Sequence, residues 1–358
     1  MAIRHLELFS GIGGFRKALD LISNDFNIEV KNIGFSEIDK CATQTYKANF
    51  NTDKETEIGD IVSFTSNKAN IKLLRPFNLL TGGFPCQSFS MMGKQRGFKD
   101  SRGNVFFRII DIVEEKKPSF ILLENVKNLI NHDNGHTFNV IKQSLEDQGY
   151  TVFCDIFNTS NFGLPQTRNR VYIFATRKKL PKSFVFSQNA VVESYKNIKK
   201  KTSLVSAKYT YELLDSEVDK KYYLSEKIKP TILADGTKTY RSRSTIDRLI
   251  AAPLTATMMK MHRACQDNYF SDDYLQSDDK TEYIKKVFTK EELAKKRIRR
   301  ITPKEAFRLQ GFDDVFFENA LSENISDAQL YKQAGNAVSV NTVYAILYYL
   351  IVDKKIIK

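Results

Sequence analysis

The sequence predicts an α/β protein: a doubly wound sheet followed by a second, smaller domain. Three observations lead there. The first 176 residues alternate short apolar runs with amphipathic helical stretches, the pattern of strands that bury both faces between helices. The texture then changes to polar, Tyr-rich segments with basic runs such as Lys199–Lys201. Finally, residues 178–300 carry 27 Lys and Arg against 16 Asp and Glu, so that they hold most of the net charge of +13.

Strands are expected at His5–Phe9, Asn32–Ser36, Asn78–Thr81, Phe120–Leu123, Val152–Asn158 and Arg170–Thr176. Between them, Gly14–Ile22 places Phe15, Ala18, Leu19 and Ile22 on one helical face, and Val105–Glu115 does the same with Phe106, Ile109, Ile110 and Val113. The predicted domains are 1–177, then a poorly patterned 178–298, then 299–358 returning to the first. Thr302-Pro303-Lys304-Glu305 reads as a capping box with proline at the first helical position, and Gly311 as the stop. A buried last helix is expected over Asn341–Val352.

Composition narrows the class. With 42% hydrophobic and 27% charged residues the chain reads as an ordinary soluble protein. Its four cysteines (41, 86, 154 and 265) form no CxxC pair, which disfavours a disulfide scaffold or a metal site and suits a reducing cytosol. MAIRHLELFS lacks the layout of a signal peptide. The apolar run from Val343 to Val352 is only about ten residues long, too short to span a bilayer. A cytoplasmic monomer with no membrane contact is therefore expected. The basic region implies a polyanionic partner, since releasing the counterions condensed on nucleic acid favours binding.

Three strand ends carry the candidate chemistry, as expected for sheets whose ligands sit beyond the carboxyl ends of the strands. At the first, Phe9-Ser10-Gly11-Ile12-Gly13-Gly14 makes a tight turn into a helix, and Glu37 at the next strand end offers a carboxylate to ribose hydroxyls. The pattern GxGG suits a nucleoside cofactor better than a dinucleotide. At the second, Thr81-Gly82-Gly83-Phe84-Pro85-Cys86-Gln87-Ser88 exposes a cysteine on a loop, where a thiol serves as a nucleophile; the other three cysteines read as packing. At the third, Glu124 follows the apolar run Phe120–Leu123, where burial should raise its pKa and let it hold a proton. Arg168 and Arg170, two apart at a strand start, are expected to point to one face.

These residues coincide, in order, with a family. The chain resembles the bacterial DNA (cytosine-5) methyltransferases of restriction–modification type over about two thirds of its length. FSGIGGF, GGFPCQSFS, GKQRGFKDSRGNVFF, ENV, QTRNR, RITPKEAFRLQGF and QAGNAVSV match the family's motifs. The resemblance implies a Rossmann-like S-adenosylmethionine-dependent methyltransferase sheet, with 178–298 as the target-recognition domain. It implies S-adenosyl-L-methionine held by Phe9, Gly11, Gly13, Gly14, Glu37, Ile38, Asp60, Ile61, Val105, Asn336 and Val338. Where the family usually has serine, this chain has Ala337. Catalysis would fall to Cys86, Glu124, Arg168 and Arg170, acting on a flipped cytosine in double-stranded DNA. Contacts to DNA would come from Gln87, Ser90, Lys94, Arg96, Arg102, Arg241, Arg243, Thr255 and Arg263, with 88–102 as a closing loop. Two other readings stay open: a tRNA cytosine methyltransferase, and a silent DNA-binding regulator on the same scaffold.

Overall fold

The computed structural model describes residues 2–85, 105–198, 203–236 and 242–357. They divide into two compact units. One comprises Met1–Asn158, Asn169–Ser203 and Val338–Lys358, the other Thr159–Arg168 and Leu204–Ala337.

The first unit is built on a seven-stranded sheet, β1 (Ile3–Leu8), β2 (Val30–Ser36), β3 (Thr56–Glu57), β4 (Leu79–Gly83), β5 (Phe120–Val126), β6 (Thr151–Asn158) and β7 (Asn169–Thr176). Their spatial order is β3-β2-β1-β4-β5-β7-β6. All pair in parallel except β7, which runs antiparallel to β5 and β6. Strand order reverses between β1 and β4, which opens a crevice at the carboxyl ends there. All six expected strands form. The added strand, β3, is only two residues long and has no periodicity to read.

Helices α1 (Gly14–Phe26), α2 (Lys40–Asn49), α3 (Ile61–Ser66), α4 (Lys68–Leu73), α5 (Val105–Lys116), α6 (His136–Asp147) and α7 (Gln188–Lys196) cover the sheet. The period of two along the strands separates its faces. Leu6, Leu8, Leu80, Ile121, Leu123, Val171 and Ile173 share one apolar core with Phe106, Ile109, Ile112 and Val113 of α5 and Ile141 and Leu145 of α6. On the opposite face, His5, Glu7 and Thr81 are buried as well.

That second face holds a polar network. His5 Nε2 lies 2.7 Å from Thr81 Oγ1. With its amide oriented to satisfy both neighbours, Asn32 donates to His5 Nδ1 and accepts from Arg16 Nε, each at 2.8 Å. Arg16 also donates to Glu55 at 2.7 Å, and Tyr46 donates to Glu7 at 3.2 Å. Burial pushes Glu7 up to about 8, only partly offset by Arg16, and pushes His5 down to about 3.

In the second unit β8 (Tyr269–Ser271) and β9 (Ile298–Arg300) form an antiparallel pair. The capping box forms as read: Thr302 accepts from the Glu305 N–H, and Glu305 from the Thr302 N–H, opening α8 (Pro303–Leu309). Gly311 follows at φ 89. Residues 299–337 fall in the second unit and Val338–Lys358 in the first. Arg299 pairs with Glu305 in full burial, Arg308 with Asp215, and the Tyr331 hydroxyl donates to Ile301 O. These bonds tie α8 and α9 (Asp327–Asn336) into the second unit, and only from Val338 does the chain rejoin the first. There α10 (Val340–Leu347), extended by a π-helical turn over Tyr348–Asp353, packs on α1.

Among the described residues one stretch, Asp327–Asp353, has the length and composition of a membrane span, longer than the run read from sequence, yet most of it is buried in the fold. Its backbone turns extended at Ala337, between α9 and α10.

Candidate active site

The turn after β1 is tight because three residues in five adopt left-handed backbone: Phe9 at φ 52, Gly11 at 54 and Gly13 at 86. For Phe9 that conformation is strained, costing on the order of 1 kcal/mol or more. Gly13 and Gly14 are fixed by space. A Cβ on Gly13 would stand 2.4 Å from the Phe50 ring, and one on Gly14 2.5 Å from Val338 Cγ2. Val338 also reaches Gly83, at the end of β4, where an added Cβ would lie 3.7 Å from its other methyl. Thus Val338 sits between the first glycine turn and the end of β4.

Three neighbouring strand ends are laced together. Ser10 N–H donates to Ser36 O at 2.9 Å, and Ser36 Oγ to Gly59 O at 3.0 Å. Glu37 accepts from the Gly11 N–H at 2.8 Å and, through its other oxygen, from the Asp39 N–H at 2.7 Å. Its carboxylate is thereby fixed against the glycine turn. Beside it Ile38 is 73% exposed, an apolar side chain that nothing in the described chain covers. Asp60 caps α3, accepting from Val62 N, Ser63 N and Ser63 Oγ, and the Ser63 hydroxyl holds its carboxyl below the usual range. Of the other residues expected at this end, Ile61 is buried in the apolar core, Val105 is half-buried and opens α5, and Asn336 is exposed at the end of α9 in the second unit.

Glu124 lies near the end of β5 and is 8% exposed. Its Oε1 is 3.0 Å from Arg170 Nε. The antiparallel register sets Val126 opposite Arg170, so the two charged side chains stand diagonally on one face of the sheet, within reach of each other. Its other oxygen would be 3.3 Å from a Cβ on Gly83. The end of β4 is therefore glycine on the side facing this carboxyl. Next to it, Asn125 donates its buried amide to Phe84 O at 2.8 Å. Asn125 thus anchors the chain two residues before Cys86. The sequence assigns this asparagine no role of its own; its contact spans 41 positions, and no local pattern shows it.

Arg168 corrects an expectation. It precedes β7 and belongs to the second unit, whereas Arg170 lies in the first. Its guanidinium is buried, donating to Leu254 O at 2.8 Å, Gly335 O at 3.0 Å and Ala337 O at 2.9 Å. The alternation expected of a strand fails because β7 begins only at Asn169. Arg168 bonds backbone carbonyls, and Arg170 faces Glu124.

Cys86, Gln87, Ser90, Lys94, Arg96, Arg102 and Arg241, with the expected closing loop, lie outside the described residues. Of the remaining recognition residues Arg243 is exposed, Thr255 half-buried, and Arg263 donates to Asp235 O. Cys41, Cys154 and Cys265 are half-buried rather than sealed in the core.

Similarity to known proteins accords with this arrangement. The family model for C-5 cytosine-specific DNA methylase matches residues 3–351. The chain is 37% identical over 341 residues to the type II methyltransferase M1.ScrFI of Lactococcus lactis subsp. cremoris, covering 95% of this chain and 76% of that one. It is 31% identical over 436 residues to the orphan methyltransferase M.SPRI of Bacillus phage SPR, covering 98% and 97%. Among solved structures, the methyltransferase EhMeth of Entamoeba histolytica superposes with a TM-score of 0.73 at 23% identity over 99% of both chains, a likeness of fold. With the glycine turn, the Glu124–Arg170 pair and a match across nearly the whole chain, this protein belongs to the C-5 cytosine-specific DNA methylases and is a DNA (cytosine-5-)-methyltransferase.

Proposed function

We propose that this chain methylates carbon 5 of a flipped-out cytosine within a short duplex DNA sequence, with Cys86 as nucleophile, as the modification enzyme of a restriction–modification system. The observation that carries the reading is the Glu124–Arg170 pair, 3.0 Å apart at the end of the sheet beside the glycine-flanked end of β4, three residues before Cys86 in the chain.

The first strand ends fit S-adenosylmethionine. Gly11 leaves open space, with nothing within 4 Å of an added Cβ. Glu37 presents a carboxylate fixed by two backbone donors, each oxygen keeping a lone pair for a ribose hydroxyl. The exposed Ile38 offers an apolar face to a base. Phe9, Gly13, Gly14, Asp60 and Val338 complete this pocket. The bound cofactor supplies a methyl group on a sulfonium, an electrophile.

Carbon 5 of cytosine is too weak a nucleophile to take that methyl unaided. The Cys86 thiolate adds to carbon 6, and Glu124 supplies a proton to N3, so that the ring becomes an enamine rather than a stranded anion. Arg170 holds Glu124 in place and binds the O2 edge of the base. Carbon 5 then takes the methyl group and loses its proton to a base as Cys86 is expelled, and N3 returns its proton to Glu124, restoring the aromatic ring. Extruding the target base costs a few kcal/mol of unstacking, which contacts to the phosphates from the basic stretch 178–300 offset. Arg243, Arg263 and Thr255 lie in that stretch, with Arg243 exposed.

Two incubations with labelled S-adenosylmethionine test the reading, one with duplex DNA and one with tRNA. Label in DNA alone, at cytosine carbon 5, is expected. Label in tRNA alone would transfer the activity to RNA, and label in neither would leave a silent scaffold. Cys86→Ser should abolish turnover while cofactor binding persists.

A further inference from the structure

Residues 251–256, within the segment that would read DNA, belong to no helix or strand in the second unit, yet both backbone polar groups of Ala251, Ala252 and Leu254 are bonded. Ala251 donates to Pro165 O at 2.7 Å and accepts from Thr167 N at 2.9 Å. The Asn268 side chain takes both polar groups of Ala252, at 2.8 and 3.1 Å. Leu254 N–H donates to Gln166 Oε1 at 3.0 Å, and Leu254 O accepts from Arg168 at 2.8 Å. Gln166 continues to Leu309 O, and Gln310 to Ala334 O. On the far side, α9 presses directly on the Thr255–Ala256 peptide: a Cβ on Gly335 would stand 2.2 Å from Thr255 C and 2.3 Å from Ala256 N.

We infer that Arg168 and Gly335 are positioning residues that set the placement of the recognition segment 251–256, with Arg168 acting through that segment and not on the cytosine. The inference rests on the proposed DNA methylation. One planar cation bonds Leu254 O on one side and Gly335 O and Ala337 O at the carboxyl end of α9 on the other, where a helix terminus favours positive charge. Arginine suits this because its fork of five donors spans separate acceptors, which the single ammonium of lysine cannot. Glycine at 335 lets the helix backbone close onto the peptide that the arginine pulls in. The segment is thus held by a fork from one side and a backbone wall from the other.

The test uses the full chain with a duplex containing its own site, identified by bisulfite sequencing of DNA methylated by the wild type. For Arg168→Ala and Gly335→Ala the expected result is a KM for DNA raised about tenfold or more, the factor that each 1.4 kcal/mol of lost binding gives. Methylation should also spread to near-cognate sites, while kcat at saturating DNA and affinity for S-adenosylmethionine stay near wild type. Arg168→Lys should recover little of the site selection. Amide hydrogen exchange at Ala251, Ala252 and Leu254 should quicken in both alanine variants, a readout that needs no activity and holds even if one variant is poorly active. A fall in kcat with unchanged KM and site selection would make Arg168 catalytic and overturn the inference, as would unchanged exchange in 251–256. Wild-type protein that leaves DNA unmethylated would instead sink the proposed function, with the exchange result still deciding what Arg168 and Gly335 hold.

Discussion

Glu124 and Arg170 meet at 3.0 Å across antiparallel strands β5 and β7, both largely buried and close to the end of β4. The pair is oriented by the register of two hydrogen-bonded strands rather than by a loop. Breaking it while leaving the shape intact isolates the proton that the proposed chemistry requires. Glu124→Gln should slow methylation by about 10²- to 10⁴-fold, the usual worth of a positioned acid, with DNA and cofactor affinity nearly unchanged in direct binding measurements. Near-normal single-turnover rates would remove Glu124 from the mechanism.

Asn125 holds Phe84 O from the adjoining position. Asn125→Ala leaves that buried carbonyl without its amide donor, a cost of about 1–3 kcal/mol, read as a lower midpoint in urea. Because Phe84 lies two residues before Cys86, the proposed nucleophile, kcat should fall as well, and cofactor affinity should not. Equal kcat in wild type and variant would show that the anchor is structural alone.

Glu7 gives a pH signature to stability. The unfolded chain releases this proton near pH 4.5, the folded chain near 8, because burial disfavours the carboxylate. Between those values the folded protein holds the extra proton, so raising the pH costs stability, by at most about 1.4 kcal/mol per unit at full difference. Glu7→Gln removes this term. Its stability relative to wild type should rise from pH 5 to 8 and level off above, measured by urea unfolding across that range. A constant difference would mean that Glu7 is ionised in the fold.

The basic stretch 178–300 makes binding to DNA depend on salt. Between 50 and 200 mM salt, affinity should drop about tenfold for every two phosphates neutralised, and Arg243→Ala should flatten the slope of log K against log salt by about one unit if Arg243 meets one phosphate. Titration of a labelled duplex at several salt concentrations reads both.

Much of the fold was legible because its signals are local. Glycines at 11, 13 and 14 need a particular backbone or a close neighbour, and the Thr302–Glu305 box closes within four residues. Short apolar runs set between helical stretches marked six strands of the sheet. The two-residue strand β3 carries no such signal. Longer-range pairing is not local: Arg299–Glu305 and Arg308–Asp215 hold 299–308 within the second unit.

The sequence by itself determined the family, the glycine turn and the identity of the residues available for chemistry, since each rests on a few neighbouring positions whose side chains permit one backbone or one reaction. Tertiary structure alone decided how those residues are used. Arg168 and Arg170 are two apart in the chain, yet one bonds carbonyls 86 and 169 positions away while the other faces Glu124. Which acceptors surround a buried cation depends on how distant segments close on one another, and no spacing along the chain encodes that closure.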